Sequence, residues 1–304
     1  MRVLITGATG LVGTALVESL KRDGHYVCRL LRNKSDYDEQ ETKHGCDVAW
    51  DPRSGNFGSA AENADAIVNL AGAPIADGRW TEDRKELLRN SRVETTRGLV
   101  AAIEKMSPRP QVLVSASAIG YYGPRGDEIL TEASGPRDGF LSRLTEEWEA
   151  AALQARSLGV RVVLARFGII LSKNGGALPP MMVPFKIGVG GKLGSGTQWM
   201  SWITLDDVVR IIRFVIEGEA ISGAVNVVAP QPVTNAQFTE VLAKAMRRPA
   251  FFSVPRVVLE TLLGEMADEM LLASQRVVPE SLQQHGYQFA KAKLASALAE
   301  ILES

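Results

Sequence analysis

The sequence predicts an α/β fold, a doubly wound parallel sheet with helices on both faces and a small C-terminal α/β lobe. Three observations predict it. Short apolar runs alternate with helical patterns over the first two thirds of the chain. One early run leads straight into a glycine-rich turn at residues 7–13 and then a helix. After residue 170 the texture changes and Gly and Pro accumulate.

The elements follow in order. Residues 3–5 form a strand, and Leu11–Arg22 has helical spacing that ends near Gly24. Tyr26–Leu31 is a second strand, residues 48–50 a short third, and residues 66–70 a fourth, followed by Ala71-Gly72. Residues 82–105 are long, charged and periodic, which predicts one helix. Residues 112–115 are a fifth strand, 141–158 a helix and 160–165 a sixth strand. Strands separated by helices predict right-handed βαβ crossovers and a parallel sheet. Residues 173–196, with Gly175-Gly176, Pro179-Pro180, Gly190-Gly191, Gly194 and Gly196, read as a long loop. Beyond it, Thr204 caps a helix over 206–217, and 224–228 returns a strand to the core sheet. Asn235–Met246, 257–263 and 294–302 are helices. The expected division is a core of residues 1–170 and a lobe with C-terminal helices over 171–304. The Leu- and Met-rich stretch 259–272 suits either the interface of a homodimer or the core of the lobe.

Bulk properties narrow the function. The chain has 304 residues and a net charge of −1, which offers no electrostatic case for nucleic acid or an anionic membrane. It contains no apolar run of membrane-spanning length. The first strand is too short for a signal peptide and glycine follows at once, so a reducing, cytoplasmic setting is expected. Cys28 and Cys46 cannot build a disulfide framework. His25, His44 and His285 are scattered, and no metal site is expected.

The strongest chemistry lies at Thr6-Gly7-Ala8-Thr9-Gly10-Leu11-Val12-Gly13. Gly7 allows the tight turn, Gly10 lets the backbone approach a pyrophosphate, and Gly13 lets the helix pack on the strand. The opening helix offers unpaired N–H groups and a positive dipole end to phosphate. The second strand ends Leu30-Leu31-Arg32, with Lys34 near, where many dinucleotide-binding chains carry an acid for the ribose 2′-OH. An arginine suits a 2′-phosphate, so NADP(H) is expected over NAD(H), with NAD(H) the alternative. Asp51 suits the adenine amino group, or equally a turn cap before Pro52.

With these residues the chain resembles the short-chain dehydrogenase/reductase superfamily on its extended, sugar-nucleotide-epimerase side. It is most similar to the atypical group of epimerase-family proteins of unassigned substrate. The matching pieces are residues 7–13, Asn69-Leu70-Ala71-Gly72, Ser115-Ala116-Ser117 with Tyr121-Tyr122-Gly123, Arg166-Phe167-Gly168 and Trp202-Ile203-Thr204-Leu205-Asp206-Asp207. Arg79-Trp80, Asn90-Ser91-Arg92, Asn226-Val227-Val228-Ala229-Pro230 and a segment around 271–279 point to the atypical group. The resemblance implies a cofactor site from Gly7, Thr9, Gly10, Leu11, Val12 and Gly13, with Arg32 at the adenosine end. It also implies Leu70, Ala71 and Gly72 after the fourth strand, Arg92 on the long helix, and Ile170 near the nicotinamide.

In that superfamily a Tyr and a Lys four residues apart on a helix carry the acid–base step beside a Ser, the Lys lowering a phenol pKa from ~10. Here the expected helix begins Gly139-Phe140-Leu141-Ser142-Arg143 and holds neither. Tyr287 and Lys291 have the spacing but lie near the C-terminus. Tyr121 and Arg125 have it too, with Gly123-Pro124 between them precluding a helix. Ser117 matches the superfamily serine. Tyr121 or Tyr122 could supply a phenol by an unusual route, or Tyr122-Gly123 could only shape the loop. Glu146, Glu147 and Glu149 read as a solvated helix face, and Asp206-Asp207 as helix N-terminal charge that fixes the lobe. Trp199, Met200 and Trp202 form a substrate wall or simple packing.

The expected function is therefore an NADP(H)-binding oxidoreductase or epimerase-like enzyme acting on a small molecule, nucleotide-sugars among the candidates. The alternative is a catalytically silent NADP(H) sensor or interaction protein.

Overall fold

Runs that are apolar at every position become strands covered on both faces. The computed structural model, which describes residues 1–32, 43–55, 57 and 63–303, shows how. The elements are β1 (Arg2–Thr6), α1 (Leu11–Arg22), β2 (Tyr26–Leu31), β3 (Gly45–Ala49), β4 (Ala66–Asn69), α2 (Glu82–Asn90), α3 (Val93–Glu104), β5 (Val112–Ala118), β6 (Ile129–Leu130), α4 (Phe140–Leu153), β7 (Arg161–Phe167), β8 (Ile169–Ser172) and β9 (Gly175–Gly176). They continue with α5 (Leu178–Lys186), β10 (Gly191–Leu193), β11 (Trp199–Met200), β12 (Trp202–Thr204), α6 (Leu205–Glu217), β13 (Gly223–Val227), β14 (Val233–Thr234), α7 (Asn235–Met246), β15 (Phe252–Val254), α8 (Arg256–Leu263), β16 (Arg276–Val277), α9 (Glu280–Gln284) and α10 (Leu294–Glu303).

The main sheet runs β13-β7-β5-β4-β1-β2-β3, and every pairing in it is parallel. Alternate residues of each strand serve opposite faces. Val3, Ile5, Val27, Ala66, Val68, Val112, Val114, Val163 and Ala165 pack against α1 and α6. Leu4, Cys28, Leu30, Ile67, Leu113, Val162 and Leu164 pack against α3 and the end of α4. The winding reverses between β1 and β4, which opens a crevice at the carboxyl ends of those strands.

A third cluster joins β8, α5, β11, β12, α7 and α10 through Leu171, Leu178, Phe185, Met200, Trp202, Phe238, Leu242, Leu294 and Leu298. Met200 and Trp202 are thus packing residues. The Trp199 indole instead donates to Asp127 at 2.7 Å.

Thr204 caps α6 as expected, accepting from the Asp207 N–H at 3.2 Å. Asp207 is fully buried. Its carboxylate accepts from the backbone of Ala290 at 2.8 Å and Lys291 at 3.0 Å, and from the Tyr287 hydroxyl at 3.1 Å. That carboxylate ties the C-terminal chain to α6. Removing it strands the buried Tyr287 hydroxyl and two part-buried backbone donors, so Asp207→Ala should cost about 3 kcal/mol. Asp206, exposed on the same turn, should cost within about 0.5 kcal/mol. Denaturant unfolding of the two variants checks this, and equal losses would refute it.

Three expectations need correction. The long helix over 82–105 is two, α2 and α3, broken at Ser91-Arg92. The Ser91 hydroxyl donates to the Leu88 carbonyl and accepts from the Ala73 N–H, competing with the helical ladder. Residues 173–196 contain α5 and two short strands. Pro179 and Pro180 sit in the first turn of α5, where a missing N–H costs no intrahelical bond. The helix expected over 141–158 ends at Leu153 and continues as a 3₁₀ stretch, Gln154–Leu158. Met266, in the Leu- and Met-rich stretch, packs with Trp80, Leu88 and Trp148. Among the described residues no helix is long and apolar enough to cross a membrane.

Candidate functional site

The turn after β1 has the form its glycines predict. Gly7 has φ +65°, and a Cβ there would stand 2.5 Å from the Leu70 carbonyl oxygen. A Cβ on Gly13 would overlap the Gly7 carbonyl and stand 2.7 Å from the Ala8 Cα. Strand and helix therefore touch backbone to backbone. At Gly10 a Cβ would meet only the Gly7 oxygen, at 3.4 Å, so that position is kept bare on its outer side. Gly10 is the N-cap of α1, and no side chain caps the helix. The first N–H groups of α1 remain for an external acceptor, with the positive dipole end behind them. Thr9 and Gly10 are exposed there. A diphosphate fits this cradle; a side chain at residue 10 would occupy it.

Arg32 and Asp51 follow the ends of neighbouring strands. Leu31 of β2 pairs with Ala49 of β3, and the Trp50 N–H donates to the Leu31 carbonyl at 2.9 Å. Both residues are exposed. One Asp51 oxygen accepts from the Arg53 N–H at 2.9 Å, the capping alternative of the sequence reading. Lys34 lies outside the described residues.

A buried ladder holds the crevice floor. The Thr6 hydroxyl donates to the Asn69 side-chain oxygen at 2.7 Å, and the Asn69 amide donates to Thr96 at 2.8 Å and Ser115 at 3.3 Å. It links β1, β4, α3 and β5 at the point where the winding reverses. Leu70 and Ala71 leave β4 over this ladder, half-buried, and Gly72 is exposed. Val12, Leu70 and Ile170 line one edge of the same apolar cluster. The Leu11 side chain reaches Gly175 and Gly176 of β9. Arg92 stands at the break between α2 and α3, its guanidinium against Gly72 and bonded to the Ala73 carbonyl at 2.9 Å.

The three candidate hydroxyls fall into different environments. Ser117, Arg166 and Asn226 lie in one row across β5, β7 and β13. Glu149 of α4 meets that row from below, which corrects its place on a solvated face: it is 6% exposed. It takes the Arg166 guanidinium in a bidentate pair, 2.8 Å to each oxygen, and the Ser117 hydroxyl proton at 2.5 Å. Glu146 and Glu147 are exposed, as read from the sequence. Tyr122 is fully buried; it donates to the Asn226 side-chain oxygen at 2.6 Å and accepts from Arg166 at 2.9 Å. Burial outweighs the Arg166 charge and pushes its phenol up to about 12. Tyr121 is half-buried, and Arg166 lies over its ring at 3.5 Å.

Sequence reasoning missed Glu149. A signal was available, because Arg166 directly follows the apolar run 162–165, and an arginine in a buried strand demands a buried carboxylate. It also missed Glu269, whose carboxylate accepts from the Phe140 and Leu141 N–H groups at 2.7 Å each. The C-terminal segment thereby caps the start of α4, where the superfamily tyrosine is expected. Tyr287 and Lys291 are spent elsewhere, on Asp207 and Glu300.

A parallel sheet with this strand order, a side-chain-free turn at its switch point and a serine row at the end of β5 define a dinucleotide-binding α/β protein of the epimerase type. The chain belongs to the NAD dependent epimerase/dehydratase family, whose family model matches residues 3–228. A second model, a domain of unknown function (DUF1731), matches residues 254–301. Epimerase family protein Mb2239 of Mycobacterium bovis is 41% identical over 297 residues, 97% of this chain and 96% of its own. Epimerase family protein SAR0825 of Staphylococcus aureus is 39% identical, covering 98% of each. Among solved structures, human epimerase family protein SDR39U1 (isoform2), crystallised with NADPH, is 35% identical over the full length of both chains, with a TM-score of 0.89.

Proposed function

We propose that the chain binds NADP(H) on the 7–13 turn and acts as an oxidoreductase or epimerase-like enzyme on a small molecule, with residues 171–304 forming most of the substrate side. The observation that carries this reading is the bare cradle at Gly7, Gly10 and Gly13 with its uncapped helix. The NADPH in the human relative supports it. When bound, the cofactor supplies hydride exchange at its nicotinamide. The α1 N–H groups would hold the diphosphate, Arg32 the 2′-phosphate, and Val12, Leu70 and Ile170 the apolar edge. Tyr121 is the one candidate phenol with an exposed portion and no hydrogen-bonded hydroxyl among the described residues. It is the group we assign to proton transfer. Purified protein should bind NADPH and oxidise it with some member of a panel of carbonyl compounds and nucleotide-sugars, read by near-ultraviolet absorbance. The reading fails if no pyridine nucleotide binds.

Arg32→Ala should weaken NADPH binding about tenfold or more and leave NADH binding within about twofold, because a charge-assisted pair to phosphate contributes about 1.5–3 kcal/mol. Calorimetry with both nucleotides checks it. Equal losses would remove Arg32 from the phosphate.

One observation favours a second reading, a silent NADP(H) sensor. α4 holds neither Tyr nor Lys, and the Ser117 and Tyr122 hydroxyls are committed to inner partners. Tight NADPH binding with no turnover across the panel decides for it.

A further inference from the structure

Two arginines at the crevice rim stand without acids. The Arg92 guanidinium donates to the carbonyls of Leu88 at 3.1 Å and Ala73 at 2.9 Å, and lies 5.4 Å from the Trp148 ring centroid. Arg84 donates to the next carbonyl along, that of Pro74, and its buried Nε has no hydrogen-bond partner. Among the described residues neither forms an ion pair, whereas Arg89, between them in sequence, pairs with Glu94 and Glu147. Burial, then the nearby Arg84 charge, lowers the Arg92 guanidinium to about 10. Two like charges on successive carbonyls of one loop are held against their own repulsion, and a half-buried guanidinium without a counter-ion is costly. The carbonyls satisfy N–H groups but neutralise no charge.

The position is specific. Gly72 has no side chain, and a Cβ there would stand 3.2 Å from the Arg92 Cζ. Its neighbour Leu70 touches the Gly7 turn. The pair therefore borders the same crevice as the cradle, on the side of the loop that follows β4.

We propose that Arg84 and Arg92 form an oxyanion site at the crevice rim that takes a phosphate or carboxylate group of the substrate. The proposal rests on the reading of the crevice as a cofactor-and-substrate site and adds the substrate's class: a small molecule carrying an anionic group. The planar guanidinium suits two oxygens of one such group, and an anion there restores neutrality to the pair.

Phosphorus-31 NMR tests this on the full chain, since it reports inorganic phosphate and the phosphates of NADP⁺ as separate signals. Inorganic phosphate should bind the wild type with and without saturating NADP⁺. Its affinity should fall at least tenfold in Arg84→Met and in Arg92→Met, be largely retained in Arg92→Lys, and be unchanged in Arg89→Met, whose charge is already paired. Retained binding of NADP⁺ by the variants, read from the shift and broadening of its own phosphate signals, reports that they are folded. Exclusion of phosphate by NADP⁺, together with loss of NADP⁺ affinity in Arg92→Met, would hand the site to the cofactor's own phosphates and overturn the substrate assignment. Phosphate affinity unchanged in both Met variants would also overturn it. If the wild type binds no NADP⁺, the cofactor reading fails alone, and the phosphate titration without it still judges the arginine pair.

Discussion

Gly13→Ala is expected to lose NADPH binding by about 100-fold or more, together with several degrees of melting temperature. The added methyl would overlap the Gly7 carbonyl and stand 2.7 Å from the Ala8 Cα, both of them backbone. No rotamer relieves such a clash, so α1 must lift from β1. Overpacking of this kind typically costs about 1–3 kcal/mol, and here it also moves the N–H groups that would hold the diphosphate. A loss of 100-fold corresponds to about 2.7 kcal/mol. Gly10→Ala is the informative partner. Its Cβ would meet only the Gly7 oxygen at 3.4 Å, an ordinary contact, and φ there is −78°. That variant should keep its melting temperature nearly unchanged and still bind NADPH weakly, because its methyl enters the cradle rather than the strand–helix contact. Calorimetry and thermal unfolding of both variants separate the two roles. If Gly13→Ala binds like the wild type, the backbone packing described here is wrong.

Glu149→Ala is expected to destabilise the fold by about 3–5 kcal/mol, the usual cost of leaving one member of a buried ion pair alone. Arg166 is 4% exposed and would keep Tyr122 as a partner while losing the Glu149 carboxylate. Ser117 would lose its acceptor as well. Glu147, two residues earlier, pairs with Arg89 on the surface, each side chain about two-fifths exposed. Glu147→Ala should cost no more than about 1 kcal/mol. Urea unfolding of the pair gives the contrast directly, and similar midpoints for both variants would disprove the buried network.

Much of the fold was legible because strand burial leaves a local mark. Residues 3–5, 66–68, 112–114 and 162–165 are apolar without alternation, which a sheet covered on both faces requires. Glycine at 7, 10 and 13 is equally local, since the turn, the approach and the packing are properties of neighbouring residues. Boundaries were less legible where a side chain competed with the backbone. Ser91 broke a periodic helix that hydrophobic spacing alone would continue, and Pro179 and Pro180 disguised a helix whose first turn tolerates them.

The candidate site divides in the same way. Arg32 and Asp51 could be placed at strand ends by counting residues, and they do follow paired strands. Glu149 could not be told from Glu146 and Glu147 by spacing, because α4 is charged around much of its surface and only its docking on β7 decides which carboxylate is buried. Glu269 is further still, more than a hundred residues from the helix it caps.

The order of amino acids by itself determined the parallel sheet, the bare turn at its first crossing and the missing Tyr and Lys of α4. Each is a matter of residue type within a few positions. Only the tertiary structure decided which charges are spent and which are free. Arg166 is neutralised by Glu149, whereas among the described residues Arg84 and Arg92 form no ion pair. Electrostatic pairing depends on distance and burial in space, to which separation along the chain is blind.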